Sequence, residues 1–288
     1  MLAPESSLKQ IRLRLKDILG KVYSGREPDS LIQLIFDHFG LTYMDSFTNP
    51  ETQLKPEIIA QINEITKDIA KKKPIQYILG YTMFHGLKIN VNAHVLIPRP
   101  ETEELVARII KEKNTDNPII LDIGTGSGCI AIALKHAFPA ATLYAVDKYP
   151  QALDIARENA HLHHLDINFL EADMLMPTTS LDMPNPDIIV SNPPYVTPEE
   201  KQWMDKNVLD YEPHSALFVR ESDPLEHYRA IAHFAAVSLN AGGALWVEVN
   251  EQFGQDTCNL FERQGFVQCR LIKDMHGKDR FVNAMIPL

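Results

Sequence analysis

Leu121-Asp122-Ile123-Gly124-Thr125-Gly126-Ser127-Gly128 is the stretch that decides the fold. A short apolar run ends in three alternate glycines, and a helix-like segment, Ile130–Ala137, follows at once. That order reads as a buried strand turning sharply into a helix. Outward from this point the chain keeps alternating. Apolar runs at Ile119–Ile123, Thr142–Val146, Ile167–Leu170, Ile188–Ser191 and Ala244–Val249 are strand candidates, and the stretches Gln151–His161 and Pro224–Leu239 between them have helical spacing. Strands alternating with helices predict an α/β domain whose mostly parallel sheet is covered on both faces. The tail adds Val267–Ile272 and Phe281–Ile286 around a turn at His276 to Asp279, which predicts an antiparallel hairpin at the sheet edge.

Upstream the pattern is different. Leu8, Ile11, Leu15, Ile18 and Val22 recur at three- and four-residue steps, as on one face of an amphipathic helix. A second helix is expected from the caps Asp29 and Ser30 to Gly40, and a third from Pro56 through Ile58, Ile62, Ile65 and Ile69. Lys71, Lys72 and Lys73 then sit at its negative end. From Tyr77 to Ile97 short β-rich pieces, YTMFHGLKINV and HVLI, predict a β-hairpin. The expected organisation is a small all-α bundle over 1–75, a hairpin linker over 76–98 and the α/β domain over 99–288.

The chain has 288 residues, of which 45% are apolar, enough for two cores. No run approaches the roughly 20 apolar residues of a membrane span, and the start MLAPESSLKQ is not a signal peptide, so a cytoplasmic protein with no membrane partner is expected. Cys129, Cys258 and Cys269 show neither CxxC spacing nor even number, so reduced thiols and no metal site are expected. A net charge of −10 argues against stable nucleic-acid binding, whose sequence-independent part comes from Lys and Arg neutralising phosphates. A monomer is the default expectation.

The glycine loop lies where ligands of open parallel sheets bind, outside the carboxyl ends of the strands. The second strand runs Tyr144-Ala145-Val146 into Asp147 and Lys148, placing a carboxylate to accept hydrogen bonds from two ribose hydroxyls. A dinucleotide fingerprint would need glycine where Cys129 stands. The spacing is GxGxG, which favours S-adenosylmethionine. Candidate donor-site residues are therefore Asp122, Gly124, Thr125, Gly126, Ser127, Gly128, Asp147 and Lys148. Asp173, past the third strand, is placed either to reach the adenine edge or to lie in a solvated loop, and Met174 to pack on the adenine face.

Asp187-Ile188-Ile189-Val190-Ser191-Asn192-Pro193-Pro194-Tyr195 is the most specific string. A buried strand delivers Asn192 to the edge that carries the glycine loop, and two prolines stiffen the turn without an N–H to satisfy. An amide or exocyclic amino nitrogen has its lone pair delocalised and attacks a sulfonium methyl poorly. The Asn192 oxygen and the Pro193 carbonyl can each accept one N–H, and Tyr195 can cover the planar face. Positioning of this kind can supply on the order of 7–11 kcal/mol of a barrier. Asn192, Pro193, Pro194 and Tyr195 are the expected catalytic and acceptor-binding residues, with Asn192 also near the donor.

With these motifs, LIPRPETEELV at Leu96–Val106, YEPHSAL at Tyr211–Leu217 and KDMHGKDRFV at Lys273–Val282, most of the chain resembles the protein-(glutamine-N5) methyltransferases that modify peptide chain release factors. The resemblance implies a Rossmann-like class I S-adenosylmethionine-dependent methyltransferase domain that yields S-adenosylhomocysteine. It implies methylation of the glutamine of a Gly-Gly-Gln motif in a release factor and a helical bundle that helps grip that factor. It further implies that Arg99, Pro100 and Glu103 line the cleft, although a proline and carboxylates also suit the first turn of any helix. NPPY is shared with adenine-N6 and guanine-N2 nucleic-acid methyltransferases, which leaves that alternative. Two departures stand out: Met174 where an aromatic residue is usual, and Glu248-Val249-Asn250 in place of Glu-Ile-Gly.

Overall fold

The computed structural model describes residues 2–112, 117–176 and 180–288; residues 113–116 and 177–179 of the expected α/β span lie outside them. Contacts divide the chain into two compact units. One runs to Gly80 and takes in Asp205–Tyr211; the other comprises Tyr81–Met204 and Glu212–Leu288.

The first unit is all helix: α1 (Leu8–Leu19), α2 (Glu27–His38), α3 (Asp45–Thr48), α4 (Pro56–Ala70) and α5 (Ile75–Leu79), with α9 (Lys206–Tyr211) from later in the chain. Helix α1 buries Leu8, Ile11, Leu15 and Leu19 and ends at Gly20. Leu19 thus takes the place expected of Ile18 and Val22, because 3.6 residues per turn carries the stripe from Leu15 to Leu19. Helix α2 starts at Glu27, ahead of the expected caps, with Pro28 in its first turn. Asp29 instead pairs with Lys16 at 3.0 Å and accepts from the Tyr43 hydroxyl at 2.8 Å. Gly40, at φ +71°, stops the helix as expected. Ile32, Ile35, Phe36, Ile59, Ile62 and Ile69 form the core, each worth about 1.5–3 kcal/mol on burial.

The second unit opens with a hairpin, β1 (Tyr81–Phe84) and β2 (Leu87–Asn90), whose turn residues His85 and Gly86 both have positive φ. The other two pieces of the expected β segment are not strands. Residues 77–79 belong to α5, which Gly80 ends at φ +81°, and His94–Ile97 is irregular because the Ile97 N–H is taken by Glu212 at 3.1 Å, with no neighbouring strand involved.

After α6 (Pro100–Lys111) come β3 (Ile119–Ile123), α7 (Cys129–Ala137), β4 (Thr142–Asp147), α8 (Pro150–Leu162), β5 (Asn168–Glu171) and β6 (Ile188–Ser191). Then follow α10 (His214–Leu217), α11 (Glu226–Ser238), β7 (Ala244–Glu248), α12 (Gly254–Arg263), β8 (Val267–Lys273) and β9 (Asp279–Met285). The seven strands are ordered β5-β4-β3-β6-β7-β9-β8, with β9 antiparallel to both its neighbours. The fold is the expected Rossmann-like one, with the antiparallel pair at one edge. Leu121, Ile123, Val146, Ile189 and Val247 bury their side chains against Tyr228, Ile231 and Phe261 of the covering helices. Asn159 of α8 exchanges hydrogen bonds with Asn90 of the hairpin, at 2.7 and 2.9 Å, and donates to the Ser127 carbonyl at 2.9 Å.

Candidate active site

Strand order reverses between β4-β3 and β3-β6, and a crevice opens there at the carboxyl ends. The register sets Ile123 opposite both Val146 and Ser191, so the residues that follow, Gly124, Asp147 and Asn192, leave the sheet at one level. Above them lies a cavity open to solvent, with the glycine loop and Asp147 on one side and Asn192 on the other.

The loop between β3 and α7 is held from below. The Gly124 and Thr125 N–H groups donate to the Val146 carbonyl at 2.8 and 3.0 Å. Asp122 is fully buried; its Oδ2 accepts from the Thr125 hydroxyl at 2.6 Å and the Ala131 N–H at 3.3 Å, and its Oδ1 has no partner among the described residues. Burial pushes its carboxyl up to about 7. Gly124 and Gly126, both at positive φ, face open space where a Cβ would stand. With no side chain in the way, the loop is a cradle that lets a ligand approach its backbone closely.

Asp147 ends β4 with Oδ2 accepting from the Gly126 N–H at 2.9 Å and Oδ1 from the Tyr149 N–H at 3.0 Å. Burial raises its pKa against those bonds. Lys148, Asp173 and Met174 complete that side of the cavity. One Asp173 oxygen accepts from the Leu175 N–H at 3.0 Å, so the residue both shapes its loop and faces the cavity. Met174, where the family often has an aromatic side chain, packs against the sheet core.

On the other side Asn192, Pro193 and Pro194 line the cavity. The Asn192 amide nitrogen donates to Thr102 Oγ1 at 3.0 Å, and that hydroxyl donates to Glu248 Oε2 at 2.7 Å. The Tyr195 hydroxyl donates to Glu248 Oε1 at 2.9 Å. Burial raises the pKa of Glu248, and burial followed by the neighbouring Glu248 raises that of Tyr195. Asn250 donates to the Tyr195 carbonyl at 3.1 Å and to Glu200 at 2.9 Å. Its φ is −64°, so the turn has no need of the glycine usual at this place.

Similar proteins match over nearly the whole length. A release factor glutamine methyltransferase of Flavobacterium psychrophilum is 42% identical over 96% of this chain and 98% of its own. One from Bacteroides thetaiotaomicron is 41% identical over 96% and 99%. The chain belongs to the release factor glutamine methyltransferase family. The family models that match are the PrmC N-terminal domain over residues 8–80 and the methyltransferase small domain over 101–209. Among solved structures, a methyltransferase from Pyrococcus furiosus shares the fold at 18% identity, covering 80% of this chain and 98% of that one with a TM-score of 0.52.

Within this methyltransferase, five residues expected at the site stand back from the cavity. Asp122 lies beneath the glycine loop, Gly128 faces Ala156 of α8, Tyr195 turns its hydroxyl to Glu248, Pro100 is exposed at the start of α6 and Glu103 is half-buried on α6; none is part of the cavity wall. Arg99 does line it, and pairs at 2.6 Å with the buried Glu212. Sequence reasoning missed Thr102, Glu212, Glu248 and His227. A carboxylate closing an apolar strand, as in Ala244–Glu248, is a readable signal for a residue at the ligand edge of the sheet. Nothing local marks Thr102. His227 is in the cavity wall with Nδ1 buried and unpartnered among the described residues, and its desolvation lowers its pKa.

Proposed function

We propose that this protein transfers a methyl group from S-adenosylmethionine to the side-chain amide nitrogen of the glutamine in the Gly-Gly-Gln motif of peptide chain release factors. The observation that carries the reading is the placement of Asn192 and Pro193 beside the glycine cradle, in one cavity with Asp147. Family membership supplies the acceptor class.

The donor supplies an electrophilic methyl on a positively charged sulfur. Gly124 to Gly128 hold its amino-acid part close to the backbone, Asp147 accepts from its ribose hydroxyls, and Asp173 with Met174 meets its base. Lys148 flanks the same end. At the acceptor, Asn192 Oδ1 takes no hydrogen bond from the described residues, and the Pro193 carbonyl follows a turn with no N–H to compete for it. Each can accept one N–H of the glutamine amide, which orients the nitrogen toward the methyl. Pro194 shapes the wall behind the amide plane, Tyr195 anchors the turn from behind through Glu248, and Arg99 borders the entrance. Glu103 is assigned to the acceptor side by the family resemblance alone and stands back from the wall. No strong base is needed, because the nitrogen becomes acidic once methylated.

The helical bundle, residues 1–75, is proposed to grip the release factor, with 76–98 as linker and 99–288 as the methyltransferase domain. A translation factor as substrate implies action in the cytoplasm, and we infer that the enzyme works as a monomer. No described helix is long and apolar enough to cross a membrane.

Labelled methyl transfer to a purified release factor, beside a copy whose Gly-Gly-Gln glutamine is alanine, tests the reading. Label in the intact factor alone is expected. Label in nucleic acid and in neither protein would overturn it in favour of an adenine-N6 or guanine-N2 methyltransferase.

A further inference from the structure

We propose that Thr102, held by Glu248, is a positioning residue that sets the direction of the Asn192 side-chain amide and so selects an N–H-bearing acceptor. The proposal rests on the reading that Asn192 holds the reacting nitrogen.

A threonine hydroxyl has one proton and two lone pairs. The Thr102 hydroxyl donates that proton in a hydrogen bond to the Glu248 carboxylate, which has only acceptor lone pairs, with Oε2 2.7 Å from Oγ1. Toward Asn192, 3.0 Å away, the same hydroxyl can then only accept. The amide nitrogen of Asn192 must therefore face Thr102, which leaves the amide oxygen as the end that meets a ligand. Without this constraint an asparagine can present either end at nearly equal cost, and half of those presentations would offer N–H to the acceptor.

The second oxygen of Glu248 is tied to the Tyr195 hydroxyl at 2.9 Å. The Asn-Pro-Pro-Tyr turn is thus anchored at both ends to one buried carboxylate, at its start through Thr102 and at its end directly. Three elements meet there: α6 brings Thr102, β6 leads into Asn192, and β7 ends at Glu248. Thr102 and Glu248 are 3% and 1% exposed, so their contact is shielded from bulk water although Thr102 reaches the cavity wall. The consequence is chemical selectivity. Two acceptors, Asn192 Oδ1 and the Pro193 carbonyl, suit the two N–H groups of a glutamine amide and repel the carboxylate of glutamate.

The test compares Thr102→Val, Thr102→Cys and Thr102→Ser with the natural enzyme on an intact release factor, measuring kcat, KM and, by calorimetry, S-adenosylhomocysteine binding. Thr102→Val keeps the shape and loses the hydroxyl; kcat is expected to fall about 10- to 100-fold, since misplacement of about 1 Å costs on that order. KM and S-adenosylhomocysteine affinity should stay within about twofold. Thr102→Ser should recover kcat to within about threefold, which a purely packing role of the threonine methyl would not allow. Should Thr102→Val fail to fold, as absent S-adenosylhomocysteine binding would reveal, Thr102→Cys carries the test with the same expected loss. Natural kcat in a folded Thr102→Val or Thr102→Cys overturns the proposal, as does an equal loss in Thr102→Ser. Asn192→Ala separates the levels: full activity there sinks the reading of the site itself, whereas an inactive Asn192→Ala beside a fully active Thr102→Val sinks only the positioning role.

Discussion

The backbone N–H of Gly126 donates to Asp147 Oδ2 at 2.9 Å, which ties the tip of the glycine loop to the carboxyl end of the neighbouring strand. The same carboxylate holds the Tyr149 N–H at the start of α8. One side chain therefore shapes both walls of the donor side while its remaining lone pairs face the cavity. Removing it in Asp147→Ala should weaken S-adenosylhomocysteine binding by about 10- to 100-fold, the effect of losing one or two charge-assisted hydrogen bonds. Calorimetric titration measures this, and an unchanged affinity would exclude Asp147 from the donor site.

Asp122 predicts a pH dependence of stability. Its unfolded carboxyl titrates near 3.8 and its folded one at about 7, raised first by burial. Between those values the folded chain keeps a proton that the unfolded chain releases, so stability falls as pH rises through the window and levels off above it. The loss is at most about 4 kcal/mol. Denaturant titrations from pH 5 to pH 8 should show this decline in the natural protein and a smaller one in Asp122→Asn, where the buried Asp147 and Glu248 carboxyls remain. A parallel decline in both would assign the effect to another group.

Two glycines of one loop should answer differently to alanine. At Gly128, with φ +80°, a Cβ would lie 3.1 Å from the Ala156 Cβ and 3.2 Å from Ile132. Left-handed strain and overpacking together should destabilise Gly128→Ala by about 2–5 kcal/mol. At Gly126, with φ +54°, a Cβ meets nothing within 4 Å. Gly126→Ala should lose only about 1–2 kcal/mol of stability yet bind S-adenosylhomocysteine at least several-fold more weakly, because the methyl enters the cradle. Urea titrations and calorimetry on the pair check both halves of the contrast.

Asn250 replaces the usual glycine after β7 with a side chain that braces the turn. Asn250→Gly gives up the bonds to the Tyr195 carbonyl and to Glu200, and should destabilise the protein by about 1–2 kcal/mol. Donor affinity should not change, since Asn250 is no part of the cavity wall. Equal stability of the two proteins would mean that the brace contributes nothing.

The residues that could be read in advance share one property: their signal is local. Alternating apolar runs gave away the sheet, and three glycines within five positions gave away a loop that needs positive φ at Gly124, Gly126 and Gly128. Asn192 was legible because two prolines follow it directly. The irregular path of His94–Ile97 was not legible, because its apolar residues are buried like those of a strand while the Ile97 N–H bonds to a carboxylate 115 positions away. The helix start at Glu27 was missed for a similar reason, the Asp29 carboxylate being engaged by Lys16 and Tyr43 and so no cap at all.

By itself, then, the sequence determined a helical bundle followed along the chain by a Rossmann-like domain, the glycine loop, Asp147 and the Asn-Pro-Pro-Tyr turn, because periodicity, glycine and proline act through the backbone of their own neighbourhood. Only tertiary structure decided which end of the Asn192 amide meets a ligand. That choice is made by a hydroxyl and a carboxylate 146 positions apart, which touch when α6 packs on β7 and water is excluded between them, and no pattern along the chain encodes such a contact.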